Sequence, residues 1–446
     1  MNIAVIGTGY VGLVSGVCLA EKGHRIVCVD NDADKVAMIN RGTSPIYEEG
    51  LDPLLTAHIG TRLRATTDLP AAVQEAELTL IAVGTPFAGD AIDLRYIRQV
   101  AREIGTALRD STAYHVIVVK STVVPGTTDD VVLPLLEEYS GKKAGKDFGL
   151  GMNPEFLREG SAIRDFLEPD RIVFGGIDEA TRTALDTVYR PFAGVDIVRT
   201  NNKTAEMIKY AANSLLATMI SFSNEIGNLC AKIGDVDVVE VMRGVHLDKR
   251  LSPITGTGQR VIPDITTYLA AGCGFGGSCF PKDVKALIAY GKKLGLDMQL
   301  LDAVMEVNQQ QPLQILHMLQ KHHADLRGMS FGILGLAFKP GTDDMRESPA
   351  IPVIRELLAR GGRVAAYDPV ARKEAEKIFP PDQVRYCDTL EEVIRDVDAV
   401  ILLTRWDLFK TVPQLLEKMK RPPLLIDGRR MLRKEEVPHY EGIGLS

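Results

Sequence analysis

Short apolar runs alternate with helical patterns at both ends of the chain. The chain opens on an apolar run, a glycine turn, a helical pattern and a second apolar run, at residues 2–6, 7–12, 13–22 and 25–30. This order predicts a βαβ unit. Three more apolar runs alternate with helical patterns, at residues 78–83, 115–119 and 172–174. The alternation predicts a parallel sheet that is covered by helices on both faces.

The middle of the chain has a different pattern. Residues 204–234 contain no proline and a single internal glycine, Gly227. They predict one helix about 45 Å long at 1.5 Å per residue, with Thr204 as its N-cap and Gly234 just after its last turn. Helical patterns continue to about residue 322, and the strand–helix alternation returns after Gly328.

These patterns together predict an α/β fold with two Rossmann-like doubly wound domains. The domains are expected over residues 1–203 and 323–446, joined by the long central helix and a helical middle domain over residues 204–322. At 446 residues the chain is long enough for about three domains.

Composition and charge exclude several classes of function. The net charge is −7, from 52 Lys and Arg against 59 Asp and Glu, so we expect no nucleic-acid partner. No apolar run reaches the roughly 20 residues of a spanning helix, so we expect no membrane role. Six thinly spread cysteines form no disulfide framework and favour the cytoplasm. No group of Cys and His has the spacing of a metal site, and none is expected.

The first motif is a G-x-G-x-x-G sequence that starts at Gly7, between a predicted strand and a predicted helix. Gly7 permits the tight turn, Gly9 lets a pyrophosphate approach the backbone, and Gly12 lets helix and strand pack closely. Asp30 follows the second strand, where a carboxylate can bind the ribose 2′-hydroxyl of NAD and repel a 2′-phosphate. Lys35 either reaches the cofactor or is solvated. The motif predicts NAD as the cofactor.

A second match to the same pattern covers residues 272–277, where no strand precedes it. We interpret it as a loop that lies close to a ligand and leads into Cys279. Pro281 suits a first helical position, which would place the Cys279 thiol at a helix N-terminus, where a thiolate is stabilised. A small buried hydrophobe is the alternative for this cysteine.

Two further sets of polar residues are candidates for chemistry. Lys209 and Asn213 are four residues apart on the long predicted helix and share one face, where they could stabilise negative charge or simply be solvated. Glu155 and Glu159 lie around an Asn-Pro turn, and the alternative for both is a solvated loop acid.

A series of motifs makes the chain recognisable over nearly its whole length. In chain order they are GTGYVG, GTPF with Asp93-Leu94, STVVPGT, NPEFLREG, PDRIVFGG, KYAAN, GGSCFPKD, FKPGTDDMRES and IDGRR. In these motifs the chain closely resembles the UDP-glucose/GDP-mannose dehydrogenase family. The resemblance implies a four-electron oxidation of a sugar C6 alcohol to a carboxylate with two NAD, and a homodimer built on the long helix. UDP-glucose is the substrate implied, with UDP-glucuronate as product, and GDP-mannose is the competitor.

The resemblance also assigns roles to matching positions. Cys279 would capture the C6 aldehyde and carry the thioester; Lys209 and Asn213 would stabilise the C6 oxygen. Water would be organised by Thr122, Glu155 and Asp283, with Glu155 as the hydrolytic base. The implied NAD contacts are Gly7, Gly9, Tyr10, Val11, Gly12, Asp30, Lys35, Thr85, Thr122, Glu159 and Arg346. The implied sugar-nucleotide contacts are Glu155, Phe156, Leu157, Lys209, Asn213, Tyr268, Gly274, Lys339 and Arg429, together with Arg250 from across the dimer.

Two other functions are compatible with these residues, and one segment departs from the family pattern. A two-electron hydroxyacid-type dehydrogenase can share the Rossmann domain and the long helix but needs no nucleophilic cysteine. A protein that binds NAD or a nucleotide sugar without turnover needs neither the cysteine nor the paired carboxylates. Between Arg250 and Tyr268, residues 254–267 make the link longer than the family usually has.

Overall fold

Runs rich in Val, Ile and Leu form the buried strands of two separate sheets. The computed structural model describes residues 1–89 and 91–445. It divides the chain into two units, Met1–Ala212 and Asn213–Ser446, here called the first and the second unit. The division falls inside the long helix, so the three predicted segments 1–203, 204–322 and 323–446 remain a prediction.

The first unit contains ten strands and eight complete helices among its described residues. The strands are β1 (Asn2–Ile6), β2 (Arg25–Val29), β3 (Leu63–Thr66), β4 (Leu78–Ile81), β5 (Phe87–Ala88), β6 (Ala91–Ile92), β7 (His115–Val119), β8 (Phe148–Met152), β9 (Arg171–Gly176) and β10 (Asp196–Thr200). The helices are α1 (Tyr10–Glu21), α2 (Ala33–Asn40), α3 (Leu51–His58), α4 (Leu69–Glu75), α5 (Arg95–Leu108), α6 (Leu133–Ser140), α7 (Ala162–Leu167) and α8 (Glu179–Tyr189). A π-helical turn, Thr128–Val132, leads directly into α6.

The main sheet of the first unit has eight strands in the order β10-β9-β8-β7-β4-β1-β2-β3. The six strands from β3 to β8 in this order are parallel, which confirms the expected parallel sheet for them and gives the 3-2-1-4-5-6 arrangement of a dinucleotide-binding fold. The last two strands depart from it, because β9 runs antiparallel to β8 and β10 follows β9. The carboxyl ends of β1 and β4 meet where the strand order reverses, the usual ligand position in such sheets.

The helix α9 (Asn202–Ile233) forms the long element that the sequence predicts. It begins two residues before Thr204, so Thr204 is not its N-cap; instead the Asn201 side chain accepts a hydrogen bond from the Thr204 N–H at 2.8 Å. Gly234 follows its last turn with a φ of 87°, as expected for a residue that ends a helix.

The second unit repeats the strand arrangement in a six-stranded parallel sheet. Its strands are β11 (Ser330–Leu334), β12 (Arg363–Tyr367), β13 (Val384–Tyr386), β14 (Ala399–Leu402), β15 (Leu424–Asp427) and β16 (Tyr440–Gly442). Its helices after α9 are α10 (Val238–His246), α11 (Phe280–Lys293), α12 (Gln299–Gln310), α13 (Gln314–His322), α14 (Ala350–Ala359), α15 (Arg372–Glu376), α16 (Leu390–Ile394) and α17 (Val412–Glu417). The order β13-β12-β11-β14-β15-β16 is again 3-2-1-4-5-6, which confirms the second Rossmann-like sheet.

Each sheet carries apolar side chains on both faces. Two clusters of buried residues cover the faces of the first sheet and two more cover the second. Within residues 1–89 and 91–445, no helix combines the length and the apolar character that crossing a membrane requires.

Candidate active site

The first glycine turn lies at the carboxyl end of β1. Gly7 has a φ of 97°, and a Cβ on Gly12 would lie 1.9 Å from the Gly7 carbonyl oxygen, so the turn closes only with glycines at both positions. A Cβ on Gly9 would meet no atom within 4 Å. Because α1 begins at Tyr10, its free N–H groups border this open side. The residues therefore fit the pyrophosphate of a dinucleotide.

Asp30 directly follows β2 and is held by the same turn. Its Oδ2 accepts hydrogen bonds from the Thr8 N–H at 2.9 Å and the Thr8 hydroxyl at 2.6 Å, and its Oδ1 accepts one from Asp32. Burial opposes ionisation, but these hydrogen bonds and the Lys35 charge outweigh it and lower the pKa of Asp30. The carboxylate keeps acceptor sites for ribose hydroxyls and repels a 2′-phosphate.

Glu48 ties two of the predicted cofactor contacts together, and the sequence motifs give no sign of it. Its buried carboxylate accepts hydrogen bonds from the Tyr10 hydroxyl and from the N–H groups of Gly160 and Ala162, the latter two at 2.7 Å. Gly160 follows Glu159. The start of α1 and the segment after Glu159 are therefore fixed to one another.

Thr85 and Thr122, two further predicted cofactor contacts, are in direct contact. The Thr85 hydroxyl donates to the Thr122 carbonyl oxygen at 2.8 Å. Val11, by contrast, packs partly buried against the apolar core. Predicted cofactor contacts follow the carboxyl ends of four parallel strands. They are Gly9 after β1, Asp30 after β2, Thr85 after β4 and Thr122 after β7.

Glu155 lies in a buried ion pair. Its Oε1 is 3.1 Å from Lys209 Nζ, with the two side chains 6% and 4% exposed, and its Oε2 accepts the Leu157 N–H at 2.6 Å. The solvated-acid alternative is therefore wrong for Glu155, and the solvated-lysine alternative is wrong for Lys209. The Phe156 ring lies beside the pair, with Arg171 3.7 Å and Lys209 5.4 Å from its centre.

Lys120 is a second buried lysine near this pair, and motif analysis misses it. It follows β7 directly, and its ammonium donates to Asn153 Oδ1 at 2.9 Å. Burial lowers the pKa of Lys120 to about 8, while Glu155 acts to raise it and Lys209 to lower it further. The only sequence signal for Lys120 is a lysine that ends a fully apolar strand.

Cys279 lies at the N-terminus of α11, as predicted. It is the helix N-cap, and Pro281 is the second helical residue rather than the first, because the helix begins at Phe280. The Cys279 sulfur is 3.6 Å from the Ser278 hydroxyl. Cys279 is half-buried, whereas the other five cysteines are buried free thiols. Cys279 is therefore the most accessible of the six cysteines, which favours the nucleophile over the buried-hydrophobe alternative.

Asp283 is buried one helical turn after Cys279. Its Oδ2 accepts from the Asn213 amide at 2.6 Å, and its Oδ1 accepts from Lys282 Nζ at 2.6 Å. Its own N–H donates to the Cys279 carbonyl oxygen. Three of the predicted catalytic residues, Cys279, Asp283 and Asn213, are thus connected within the second unit.

The glycine loop before Cys279 is held by side chains that the motifs do not include. Asn224 accepts from the Gly272 N–H, Gln311 donates to the Gly272 carbonyl, and Asn308 binds both the N–H and the carbonyl of Phe275, at 2.8–3.0 Å. Gly274 has a φ of 94°, and a Cβ there would lie 2.9 Å from the Asn308 side chain. Side-chain hydrogen bonds therefore hold the loop backbone at Gly272 and Phe275.

Arg429 connects this loop to the carboxyl edge of the second sheet. Its guanidinium donates to the carbonyl oxygens of Gly274, Leu403 and Phe338, at 2.8, 2.6 and 3.3 Å. Lys339 follows Phe338, with its ammonium 5.5 Å from the centre of that ring. Arg429 therefore contacts both Gly274 and the residue that precedes Lys339.

The other predicted contacts of the second unit are more dispersed. The Arg346 carbonyl accepts from the Gly277 N–H at 2.8 Å, and the Tyr268 ring lies 6.3 Å from that of Phe280. Arg250 is exposed and pairs with Asp248, so its predicted reach across a dimer stays a prediction. The long link after Arg250 folds on itself, with Ile254 bridging Arg260.

Known protein families and individual relatives match most of the chain. Models of the UDP-glucose/GDP-mannose dehydrogenase family match residues 1–193 (NAD binding domain), 203–310 (central domain) and 332–434 (UDP binding domain). UDP-glucose 6-dehydrogenase AglM of Haloferax volcanii is 41% identical over 99% of this chain and 100% of its own length. GDP-mannose 6-dehydrogenase of Pseudomonas putida is 41% identical over 92% and 93%. The solved structure of a UDP-glucose dehydrogenase from Pyrobaculum islandicum is similar with a TM-score of 0.89 and 40% identity, covering 100% of this chain and 98% of that one.

Proposed function

Because the chain belongs to the UDP-glucose/GDP-mannose dehydrogenase family, we propose that it oxidises UDP-glucose at C6 to UDP-glucuronate. UDP-glucose 6-dehydrogenases from several organisms, about 40% identical over nearly the whole chain, support this substrate. The observation that carries the four-electron reaction is Cys279, a half-buried thiol at a helix N-terminus one turn from a buried carboxylate. A two-electron alcohol dehydrogenase has no use for such a nucleophile.

The proposed reaction has three kinds of step: oxidation, addition of Cys279 to the aldehyde, and hydrolysis of the thioester. NAD⁺ held by the Gly7 turn and Asp30 would supply the hydride acceptor for both oxidations. Lys209 and Asn213 stabilise negative charge on the C6 oxygen during the first. The Cys279 sulfur then adds to the C6 aldehyde, and loss of a second hydride from this hemithioacetal leaves a thioester. Glu155 takes a proton from the water that attacks the thioester, which releases the carboxylate and the Cys279 thiol.

An apolar stripe on α9 supports a homodimer. Leu215, Phe222 and Leu229 recur every seven residues and therefore share one face of the helix. They are 56%, 49% and 57% exposed in the single chain. A row of large exposed apolar side chains is typical of a surface that a second copy covers. None of the six cysteines, all of them in the described part of the chain, forms a disulfide, which supports a reducing, cytoplasmic setting.

The test counts NADH formed per molecule of substrate by absorbance. With limiting UDP-glucose and excess NAD⁺ we expect two NADH and a uronate by mass spectrometry, and little NADH with GDP-mannose. One NADH per substrate with a ketone product would support the two-electron alternative instead. Binding of both ligands without NADH would support a sensor, and faster turnover of GDP-mannose would change the substrate.

A further inference from the structure

Lys120 is buried at the carboxyl end of β7 and is tied to the loop that carries Glu155. The residue is 3% exposed, and its backbone N–H donates to the Ile81 carbonyl at 2.8 Å. Its ammonium donates to Asn153 Oδ1 at 2.9 Å. Asn153 is fixed in turn, because its amide donates to the Val173 carbonyl and its N–H to Val119, both at 2.8 Å. Lys120 therefore anchors the residue two positions before Glu155.

Two buried ammonium groups act on one buried carboxylate. Lys209 is paired with Glu155 at 3.1 Å, and Lys120 interacts electrostatically with both. Lys120 and Glu155 also line one cavity, whose other charged groups are Arg158, Asp165, Glu168, Asp170 and Arg171. Arg158 pairs with Asp165 at 2.7 Å, Arg171 lies 3.8 Å from Asp170, and Glu168 is exposed. Tyr189, whose hydroxyl donates to Asn153, is a further titratable group on this cavity. Among these groups, Glu155 is the carboxylate whose charge acts to raise the pKa of Lys120.

Resting on the proposed function, we propose that Lys120 is a positioning residue for the hydrolytic base. Its ammonium anchors Asn153, two residues before Glu155, and adds a second positive charge to the surroundings of that carboxylate. A buried ammonium costs stability, so packing alone does not favour lysine over methionine here. The Glu155 charge in turn favours the protonated form of Lys120.

A first experiment measures this coupling without turnover. In protein labelled with ¹³C at the lysine Cε atoms, NMR should detect one lysine that titrates near pH 8, because burial lowers the pKa of Lys120 to about 8. This titration should be absent in Lys120→Arg. In Glu155→Gln it should move to lower pH, because the negative charge that stabilises the Lys120 ammonium is removed. An unchanged Lys120 titration in Glu155→Gln would overturn the proposal.

A second experiment measures hydrolysis of the acyl-enzyme against pH in single turnovers. In Lys120→Met we expect the acidic limb of the rate to move to higher pH, since a neighbouring positive charge is lost. The Michaelis constant for UDP-glucose should change less than about twofold, and the melting temperature should hold or rise. Lys120→Arg keeps the charge and should keep the parent's acidic limb.

The outcomes separate this proposal from the proposed function. If the parent protein forms no NADH from UDP-glucose, the proposed function fails, while the NMR titration still decides the coupling. If the parent forms two NADH and Lys120→Met keeps the parent's pH profile, only the role of Lys120 fails. Equal loss of activity in Lys120→Met and Lys120→Arg with lowered melting temperatures would indicate packing and overturn the proposal.

Discussion

At the scale of single residues, two cysteines six positions apart have opposite environments. Cys279 is half-buried at a helix N-terminus, whereas Cys273 is fully buried with its sulfur 3.8 Å from the Leu403 carbonyl oxygen. Burial raises the pKa of the Cys273 thiol, which makes it a poor nucleophile. The pair therefore offers a matched test of covalent chemistry.

We expect Cys279→Ser to lower kcat by several orders of magnitude while binding of NAD⁺ and UDP-glucose stays near normal. A serine hydroxyl is far less ionised than a thiol at neutral pH. Steady-state kinetics and calorimetry give the two readouts. Cys273→Ser should instead lower the melting temperature and keep most of the turnover. Near-normal turnover in Cys279→Ser would contradict the covalent mechanism.

Asp30 and Asp32 form a second matched pair. Asp30→Asn should weaken the preference for NAD⁺ over NADP⁺, measured as the ratio of kcat/KM values, because the charge that repels a 2′-phosphate is lost. Asp32 caps α2 through the N–H groups of Asp34 and Lys35 and is exposed. Asp32→Asn should leave the preference unchanged; an equal effect of both variants would remove Asp30 from cofactor discrimination.

At the scale of elements, the loop before Cys279 requires glycine for steric reasons. A Cβ on Gly276 would lie 2.2 Å from the Glu347 carbonyl oxygen, which is backbone and cannot turn away. Gly256, in the link after Arg250, has a conventional φ and open space around its Cβ position. We expect Gly276→Ala to cost about 1–3 kcal/mol of unfolding free energy and most of the turnover.

Gly256→Ala is the control for this loop and should change neither the midpoint of chemical denaturation nor kcat. NAD⁺ binding should survive in Gly276→Ala, because the first glycine turn belongs to the other unit. Parent-like stability of Gly276→Ala would show that Glu347 can move away, and that the loop is less rigid than its hydrogen bonds imply.

The pairing of β4 and β7 should be sensitive to acid. His115 is buried at the start of β7, with Nε2 2.8 Å from the Thr79 hydroxyl, and burial lowers its pKa to about 4. The unfolded chain takes up this proton near pH 6.5, so stability is lost as pH falls below that value. From pH 7 to pH 5 the loss should be about 2 kcal/mol. In urea denaturation His115→Gln should lose less stability than the parent over this interval; an equal loss in both would exclude His115 as the cause.

Sequence reasoning succeeded where an element is determined by its own residues. β1 and β7 have the predicted bounds because each is a short apolar run between polar residues. Sequence reasoning was less precise at helix starts. The helix α1 begins at Tyr10, three residues before the predicted start at Leu13, because the glycine turn needs only Gly7 and Gly9 ahead of the first helical N–H groups. α9 begins early because Asn201, outside the apolar pattern, provides the cap.

The site was predictable only as far as its motifs extend. Cys279, Asp283 and Glu155 lie inside recognisable motifs, and the structure places Cys279 at a helix N-terminus and buries the two carboxylates. Glu48 and Lys120 were missed because their importance comes from partners far away in sequence. Glu48 binds Ala162, 114 positions on, and Lys120 binds Asn153, 33 positions on. No local pattern encodes such contacts, since burial is decided only when the sheet has formed.

At the scale of the whole molecule, α9 presents an apolar face that the single chain leaves exposed. Leu215, Phe222 and Leu229 form an exposed stripe on this face. Exposing apolar surface to water costs about 25 cal/mol per Å², so burying the stripe would stabilise an assembly. A second copy of the chain would bury the same stripe from both sides, since identical surfaces meet in a twofold dimer. The proposed dimer therefore makes this stripe the place where a charge should be most disruptive.

We expect the double substitution Phe222→Glu and Leu229→Glu to convert a dimer into a monomer in sedimentation velocity at micromolar concentration. Each carboxylate would have to be buried against an apolar partner without a counter-charge, which the association cannot offset. Tyr96→Glu is the control, because Tyr96 is similarly exposed, at 49%, but lies on α5 of the first unit. It should leave the sedimentation coefficient unchanged. A parent protein that sediments as a monomer, or a double variant that remains dimeric, would show that this face of α9 does not hold two chains together.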